Sequence, residues 1–525
     1  MSFAKIYSAQ ANLTKATIIS IEVDLSKGLH SFGIVGLPDK AVEESKDRLS
    51  AAIKNSGFSS PKSKNQKVVV SLAPADLKKE GPSFDVPMAL AYLLASQDIK
   101  CNPEGKLFLG ELSLDGQLRP VRGVLPLTKE AKEQGFSEIF VPYENGREAA
   151  LISGITVYPA KTLKEIIDHI NLKRGEDGER GGEKNGAARG KIEPQPPTEI
   201  TFEQVGNDID MADIYGQEGT KRGLEIAAAG GHNIAMYGPP GTGKTMLARA
   251  FRHLLPGLSF DHVLEVSSIH SVAGTLNDEL VMQPPFRSPH HTASYISIVG
   301  GGTFPKPGEI TLAHRGVLFM DEFPEFDRKV IDSLRQPLEE RTVTISRARG
   351  TMTFPAHVIL IVAMNPCPCG NYGIQGKECT CTHNIVTRYQ RKISGPVIDR
   401  IDIWTEVSAV HHKALTERQI GGESTTTVRA RIEKAREIQK NRFANHSRSI
   451  STNSEMSARD IHTYIKIDQP AKDILNATSE RLGLSGRAHH RIMKLAQTIA
   501  DLGHLEYVNK ECILEALQYR PKKLN

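Results

Sequence analysis

The stretch Gly238-Pro-Pro-Gly-Thr-Gly-Lys-Thr245 carries residue types in an order that suits the binding of a triphosphate. Its glycines let the backbone curl until several N–H groups point at one centre. Lys244 can reach the β- and γ-phosphates, and the Thr245 hydroxyl can ligate Mg²⁺. The residues predicted to bind ATP with Mg²⁺ are therefore Gly238, Pro239, Pro240, Gly241, Thr242, Gly243, Lys244 and Thr245.

Two adjacent acids end an apolar run further along the chain, in Gly316-Val-Leu-Phe-Met-Asp-Glu322. Four apolar residues in succession are typical of a buried strand in a parallel sheet. We expect this strand to carry Asp321 toward Mg²⁺ and Glu322 toward the attacking water as general base. A second apolar run, 358–364, ends at Asn365 in the same way.

These residues need elements that position them. The loop requires a strand before it and a helix after it, and 232–237 and 246–252 have those patterns. Before residue 172 the sequence predicts an α+β mixture. Its expected strands are 17–23, 31–36, 68–72 and 138–141, its helices 39–54, 85–95 and 129–134, and its hairpin 107–112 with 117–121.

Composition excludes several classes of protein. The 525 residues are 39% hydrophobic and 24% charged, as in ordinary globular chains. No apolar run is long enough for a membrane span, and the first residues lack the pattern of a signal peptide. The net charge of +5 permits an anionic partner without requiring one. The six cysteines do not form a disulfide framework, so we expect a cytoplasmic protein without membrane association.

The segment from Lys173 to Pro197 is rich in Gly, Lys, Glu, Arg and Pro, and such a composition predicts a flexible, solvated tether. The region 460–519 has the apolar spacing of a helical bundle. The predicted domains are 1–172 at the N-terminus, 173–198 as linker, 199–410 as ATPase core, 411–454 as connector helix region and 455–525 as helical lid.

The N-terminal domain resembles the Lon-protease type, which has a fold like that of ribosomal protein S5. The resemblance rests on Gly81-Pro-Ser83 and Gly110-Glu-Leu-Ser-Leu-Asp-Gly-Gln-Leu-Arg-Pro120. It places Ser83 at the nucleophile of a Ser–Lys dyad. Leu125 stands where the lysine is expected, and Lys129 lies one helical turn further on. A serine without an adjacent base is a poor nucleophile, which favours a scaffold or partner-binding domain over a protease.

Further segments closely resemble the magnesium-chelatase-like AAA+ family, within which the Lon-like domain points to the YifB/ComM group. The segments are Asp213-Ile-Tyr-Gly-Gln217, Arg287-Ser-Pro-His-His-Thr-Ala-Ser294, Pro307-Gly-Glu-Ile-Thr-Leu-Ala-His314, Asn365-Pro-Cys-Pro-Cys-Gly370, Ser394-Gly-Pro-Val-Ile-Asp-Arg-Ile-Asp402 and Leu484-Ser-Gly-Arg-Ala-His-His-Arg491. The resemblance implies an α/β fold. It comprises a P-loop AAA+ module with a parallel sheet flanked by helices, a C-terminal helical lid and an N-terminal α+β domain.

The resemblance also assigns roles to residues. Tyr215 and Gly216 would lie on the adenine side, and Asn365 would be the sensor-1 residue that orients water. Arg400 would be an arginine finger acting on the neighbouring subunit, and Arg487 would be sensor 2, reaching the γ-phosphate of its own subunit. Arg491 is the local alternative to Arg487.

The resemblance to this group implies a hexameric DNA helicase that drives branch migration when incoming DNA is integrated in natural transformation. The expected partner is branched or single-stranded DNA. A chelatase-like ATPase that remodels a protein or cofactor is the alternative.

The run from Glu340 to Pro355 reads as a hairpin with Arg347 and Arg349 near its tip. In related ring motors a hairpin before sensor 1 projects into the pore, where arginines would contact DNA phosphates without reading sequence. A solvated tip without ligand is the alternative. The basic helix predicted over 425–443 is more typical of an amphipathic connector.

Two Cys-x-Cys pairs lie close together. Four thiolates suit a structural Zn²⁺ ion, while a metal-free or redox-active loop stays open as the alternative. The candidate ligands are Cys367, Cys369, Cys379 and Cys381.

Overall fold

The computed structural model describes most of the chain. The described residues are 3–12, 15–79, 81–176, 191–198, 209–276, 280–302, 306–347, 350–373, 378–408, 422–448 and 450–521. They divide into two units, one made of Met1–Phe202 with Ser267–Leu280, the other of Glu203–Val266 with Val281–Asn525. Among the described residues no helix is both long and apolar enough to cross a membrane.

The first unit is built on a seven-stranded sheet in the order β3-β4-β2-β1-β5-β8-β9. Strands β1, β2 and β4 pair antiparallel, whereas β5, β8 and β9 extend the sheet in parallel from β1. The strands of this unit are β1 Phe3–Asn12, β2 Lys15–Lys27, β3 Ser31–Val35, β4 Gln66–Ala73, β5 Lys106–Phe108, β6 Glu111–Leu112, β7 Leu118–Arg119, β8 Glu138–Pro142 and β9 Thr156–Ala160.

Helices cover this sheet, and α2 is buried along almost its whole length, as its apolar sequence predicts. The helices are α1 Lys40–Asn55, α2 Asp85–Ala95, α3 Val124–Glu133, α4 Gly146–Ala149 and α5 Leu163–Glu176. Helix α3 begins five residues before the predicted start at 129, where Gly123 takes a left-handed backbone (φ 75°). Leu125 is buried and Lys129 is exposed.

The predicted hairpin 107–112 with 117–121 is wrong for its first arm. Residues 106–108 belong to the large sheet as β5, and only β6 and β7 pair with each other. Gly110 separates the two segments with φ 157°. Its N–H donates to the Ser83 carbonyl at 3.1 Å, and a Cβ there would lie 2.7 Å from Val86 Cγ2. The close approach of two backbones therefore breaks the run.

The predicted solvated tether does not hold for residues 191–198. The Gln195 N–H donates to the Val157 carbonyl at 2.9 Å, and the Thr198 N–H donates to the Ala150 carbonyl at 3.1 Å. Ile192 is buried. One apolar side chain and a few backbone hydrogen bonds fix this segment, and a composition average does not reveal them. Residues 177–190 lie outside the described part of the chain.

The second unit has a five-stranded parallel sheet in the order β11-β14-β17-β10-β18. The carboxyl ends of parallel strands meet at one edge, which is where such sheets bind ligands. Its strands are β10 Ile234–Tyr237, β11 Phe286–Arg287, β14 Val317–Met320, β17 Ile359–Met364 and β18 Ile403–Glu406, with the short pairs β12 Gly300–Gly301 with β13 Lys306–Pro307 and β15 Thr342–Arg347 with β16 Gly350–Pro355.

Helices of the second unit lie before, between and after these strands along the chain. They are α6 Glu218–Gly230, α7 Lys244–Leu254, α8 Phe260–Ala273 (grouped from Ser267 on with the first unit), α9 Tyr295–Val299, α10 Glu309–Leu312, α11 Arg328–Ser333, α12 Arg335–Glu340, α13 His383–Gln390, α14 Gly395–Ile398 and α15 Thr425–Arg442. Helix α15 buries Val428, Ile432 and Ala435 on one face, as expected for an amphipathic connector.

The C-terminal region is helical, as the apolar spacing predicts. Its helices are α16 Ala458–Tyr464, α17 Gln469–Leu482, α18 Gly486–Leu502 and α19 Lys510–Gln518. Each begins after a polar residue whose side chain accepts a backbone N–H of the first turn, a contact that stabilises a helix by about 1 kcal/mol. The capping residues are Ser457, Asp468, Ser485 and Asn509.

Candidate nucleotide-binding site

The phosphate loop follows β10 and leads directly into α7. Gly241 and Gly243 have left-handed backbones (φ 78° and 87°), as expected for glycines that let this loop curl. Gly238 is needed for a different reason. A Cβ at that position would lie 2.1 Å from the Val407 carbonyl oxygen, so only glycine allows β18's continuation to pass so near.

Lys244 is buried beneath the loop, with 8% of its surface exposed. Its Nζ donates to the carbonyl oxygens of Gly238 and Pro239, each at 2.7 Å, and to Asn365 Oδ1 at 3.1 Å. Burial lowers the pKa of Lys244. A buried ammonium group whose hydrogen-bond partners are neutral oxygens is well suited to an incoming anion.

Thr245 and Asp321 meet at the carboxyl edge of the sheet. The Thr245 hydroxyl donates to Asp321 Oδ2 at 2.7 Å, and the Glu322 N–H donates to Asp321 Oδ1 at 2.9 Å. A hydroxyl and a carboxylate at this separation are the oxygen ligands that Mg²⁺ takes beside a nucleotide. These residues fit a magnesium ion.

Glu322 is held in a left-handed conformation (φ 50°, ψ 42°), which is uncommon for a residue with a side chain. Its Oε2 lies 3.0 Å from His291 Nδ1. The segment with His291 follows β11, which lies beside β14 in the sheet, so both strands end at the same edge. The segment 287–294 was noted for its family resemblance, but no role was predicted for His291. The sequence has no apolar run that would reveal the short strand before it, so its place beside the acids is evident only from the structure.

Arg400 and Arg487 contact the same carboxylate. Arg400 Nη2 hydrogen-bonds to Glu339 Oε2, and Arg487 Nη2 lies 3.6 Å from Glu339 Oε1. The Arg400 guanidinium lowers the pKa of Glu339. All three line a cleft of about 780 Å³, whose lining residues include none from the loop 238–245. In the single chain both guanidinium groups therefore converge on one carboxylate, and the assignment of the two arginines to different nucleotides stays a prediction.

Arg491, the alternative to Arg487, has a structural contact. Its Nη1 donates to the Ile401 carbonyl at 2.9 Å and lies 3.4 Å from the Ile398 carbonyl, at the end of α14. Its side chain is 16% exposed, compared with 67% for Arg487. Arg487 is therefore the arginine of the pair that is free to meet a ligand from outside the chain.

Tyr215 and Gly216 lie in the turn just before α6. Gly216 has φ 64°, and Gln217, which follows it, is also left-handed (φ 62°) and donates through Nε2 to the Ser408 carbonyl at 2.5 Å. Tyr215 is half-buried and Gly216 is exposed. A hydrogen bond thus joins this turn to the segment that follows β18.

Arg347 is the last residue of β15 and pairs with Gly350 across the predicted hairpin. The hairpin forms as predicted, with Val343 and Ile345 buried on one side. The Arg347 side chain and the whole of Arg349 lie outside the described part of the structure.

The four clustered cysteines come together. Their sulfur atoms all lie within 4.8 Å of one another, although Cys369 and Cys379 are ten positions apart in the chain. Cys367 is buried and the other three are half-buried. The other two cysteines, Cys101 and Cys512, lie elsewhere.

Comparison with known proteins gives the family of the chain. Three family models match the chain. Magnesium chelatase, subunit ChlI, matches residues 210–415; subunit ChlI of Mg-chelatase matches residues 21–145; and magnesium chelatase, subunit ChlI C-terminal, matches residues 422–520. Competence protein ComM of Haemophilus influenzae is 41% identical over 99% of this chain and 98% of its own length. The chain belongs to the YifB/ComM family of magnesium-chelatase-like AAA+ ATPases.

Other relatives agree with this family. The uncharacterized protein YifB of Escherichia coli is 39% identical over 99% of this chain and 97% of its own length. Lon protease 2 of Bacillus subtilis is 35% identical over 99 residues, 18% of each chain. The predicted fold is confirmed: an α/β AAA+ module with a parallel sheet, a C-terminal helical region and Lon-like similarity at the N-terminus.

Proposed function

We propose that this YifB/ComM family member is an ATP-driven ring motor, with six subunits, that acts on branched or single-stranded DNA in the cytoplasm. It would promote branch migration when DNA is integrated in natural transformation or homologous recombination. The observation that carries the ATPase part is the assembly of Lys244, Asn365, Thr245 and Asp321 at one sheet edge. The DNA part is supported by the identity to Competence protein ComM over nearly the whole chain.

The proposed roles follow from the contacts. Lys244 and the loop amides bind the phosphates, Thr245 and Asp321 hold Mg²⁺, and Glu322 accepts the proton of the attacking water. Mg²⁺, when bound with ATP, neutralises charge on the phosphates. Asn365 accepts a hydrogen bond from Lys244, which supports its proposed role beside the γ-phosphate. Tyr215 and Gly216 are proposed on the adenine side.

Arg400 and Arg487 are proposed to act together on the nucleotide of a neighbouring subunit. Both contact Glu339 in the single chain, and the loop 238–245 does not line their cleft. A site of this kind is complete only when two subunits meet, so hydrolysis requires the ring. A zinc ion on the four clustered cysteines is a second proposed cofactor.

The hairpin of β15 and β16 is the proposed DNA contact, with Arg347 and Arg349 meeting phosphates. ATPase turnover measured with a four-way junction, with single-stranded DNA and without DNA tests this. We expect stimulation by DNA, weaker at high salt because phosphate contacts release counterions. The double variant Arg347→Ala/Arg349→Ala should lose the stimulation. Arg328→Ala, an exposed arginine on α11, is the matched control and should keep it.

The alternative functions predict other outcomes. A chelatase-like ATPase would not bind DNA at low salt, and DNA would not stimulate its turnover. That result would refute the proposal that the protein is a motor acting on DNA. A Lon-like protease would cleave unfolded protein and lose the cleavage in Ser83→Ala. Exposed Lys129 and buried Leu125 do not favour a base beside Ser83.

A further inference from the structure

The sulfur atoms of the cysteine cluster have the spacing of ligands around one metal ion. Cys367 Sγ lies 3.3 Å from Cys369 Sγ and 3.8 Å from Cys379 Sγ, and the last two lie 3.5 Å apart. Zn–S bonds of about 2.3 Å in a tetrahedron place the sulfurs about 3.8 Å from each other. A disulfide needs about 2.05 Å, and an iron–sulfur cluster needs a wider cage.

The backbone around the cluster supports the sulfurs. The Tyr372 N–H donates to Cys367 Sγ at 3.4 Å, and the Gly370 N–H donates to the Cys367 carbonyl at 3.0 Å. Asn371 Nδ2 donates to the Glu378 carbonyl at 3.3 Å, across the interval between the two cysteine pairs. The first of these hydrogen bonds reaches a sulfur and would orient a metal ligand from outside the coordination sphere, whereas the other two hold the backbone that carries the cysteines.

The same turn contacts the nucleotide loop. Gly370 has a left-handed backbone (φ 80°), and a Cβ there would lie 2.5 Å from Pro240 Cδ and 3.0 Å from Pro240 Cγ. The backbone at Gly370 therefore lies directly against the ring of a residue in the phosphate loop. On the other side of the turn, Asn365 precedes Cys367 by two positions and accepts a hydrogen bond from Lys244.

We propose that the four cysteines bind one Zn²⁺ ion, and that this ion holds the turn 367–370 in place so that Pro240 and Asn365 are positioned for ATP. Without the ion, four thiol groups lose their common centre, and the turn has only its hydrogen bonds to close it. The consequence would reach the nucleotide loop through Gly370 and Asn365. This inference rests on the proposed binding of ATP at the loop.

The metal is tested first, on the full chain purified under reducing conditions without chelator. Inductively coupled plasma mass spectrometry should find one zinc ion per chain, and the substitution Cys379→Ser should reduce the zinc content to background. Cys101→Ser and Cys512→Ser are the matched controls and should keep the ion, since both cysteines lie outside the cluster. A wild-type chain without zinc or another bound transition metal would overturn the site.

The coupling is tested by binding of a fluorescent ATP analogue. Gly370→Ala should keep its zinc yet bind the analogue roughly fivefold more weakly or worse, because alanine at positive φ and its overlap with Pro240 displace the turn. Removing zinc from the wild-type chain with a chelator should weaken binding, and adding zinc back should restore it. Wild-type affinity in both cases would overturn the coupling.

Failure of the proposed ATP site gives a different result. In that case the wild-type chain with its full zinc content does not bind the analogue at all. Lys244→Ala, which keeps every cysteine, should contain one zinc ion per chain and lose analogue binding. Thermal unfolding of each variant shows whether it is folded.

Discussion

Two groups of polar and charged residues in the second unit differ in their hydrogen-bond and ion-pair partners. Lys244, Thr245, Asp321 and Asn365 contact one another at the edge of one sheet. Arg400 and Arg487 instead share a carboxylate, Glu339, in a separate cleft. The first group has the pieces needed to bind a nucleotide within one chain. The second group consists of two cations, and in the single chain both take the carboxylate of Glu339 as their partner. We propose that the two groups are the two halves of a site that is completed between subunits.

The largest effect should separate binding from turnover. Lys244→Ala removes the buried cation and should abolish nucleotide binding, measured by titration with a fluorescent ATP analogue. Arg400→Ala should bind the analogue within a few-fold of wild type yet lose turnover by about 10³-fold, the contribution of an arginine finger. If Arg400→Ala loses binding to the same extent as Lys244→Ala, the two groups belong to one site within a chain.

The second contrast compares the two arginines of α18. Arg487→Ala should lower turnover by roughly 10- to 100-fold, because a hydrogen bond to a charged group is lost. It should leave the unfolding temperature unchanged, since the side chain is 67% exposed. Arg491→Ala, whose guanidinium binds the carbonyls after α14, should mainly lower the unfolding temperature. Equal loss of turnover in two equally stable variants would contradict the assignment.

Both arginines contact Glu339 in the single chain, and we propose that this carboxylate competes with the nucleotide for them. Glu339→Gln removes this charge and should change turnover by only up to about fivefold, because exposed ion pairs contribute little. We expect an increase, most evident at low protein concentration, where assembly is incomplete. Glu340→Gln is the neighbouring control. A large loss of turnover in Glu339→Gln would show that the carboxylate has a direct role.

The smallest expected effect concerns His291, which contacts Glu322. His291→Ala releases the carboxylate and should raise turnover without DNA only about twofold, the low end of what one hydrogen bond contributes. His291→Asn, whose amide can replace the Nδ1 contact, should stay near wild type. A loss of turnover in His291→Ala would instead mean that the imidazole positions Glu322 for catalysis.

The fold could be predicted where sequence patterns are local. Apolar runs that end in Asp321 and Asn365 indicate strands, and parallel strands bring their ends together, so the sheet and its edge followed from residues close in the chain. The predicted roles of Arg400 and Arg487 stay predictions.

Other features depend on contacts between distant segments. His291 follows a strand of two residues, Phe286–Arg287, which has no apolar run to reveal it. Gly370 contacts Pro240 across more than a hundred positions, and a single sequence carries no signal for such a pair. Residues 191–198 were predicted as solvated because composition does not show backbone hydrogen bonds.

Mixing two inactive variants tests the composite site most directly. Arg400→Ala keeps an intact loop without the finger, and Glu322→Gln keeps the finger with a disabled base. Neither should hydrolyse ATP alone. When the two are mixed and allowed to assemble, Glu322→Gln subunits should supply Arg400 to the intact loops of their neighbours, and turnover should reappear. If mixed oligomers are shown to form and their turnover stays as low as that of each variant alone, the composite site between subunits is contradicted.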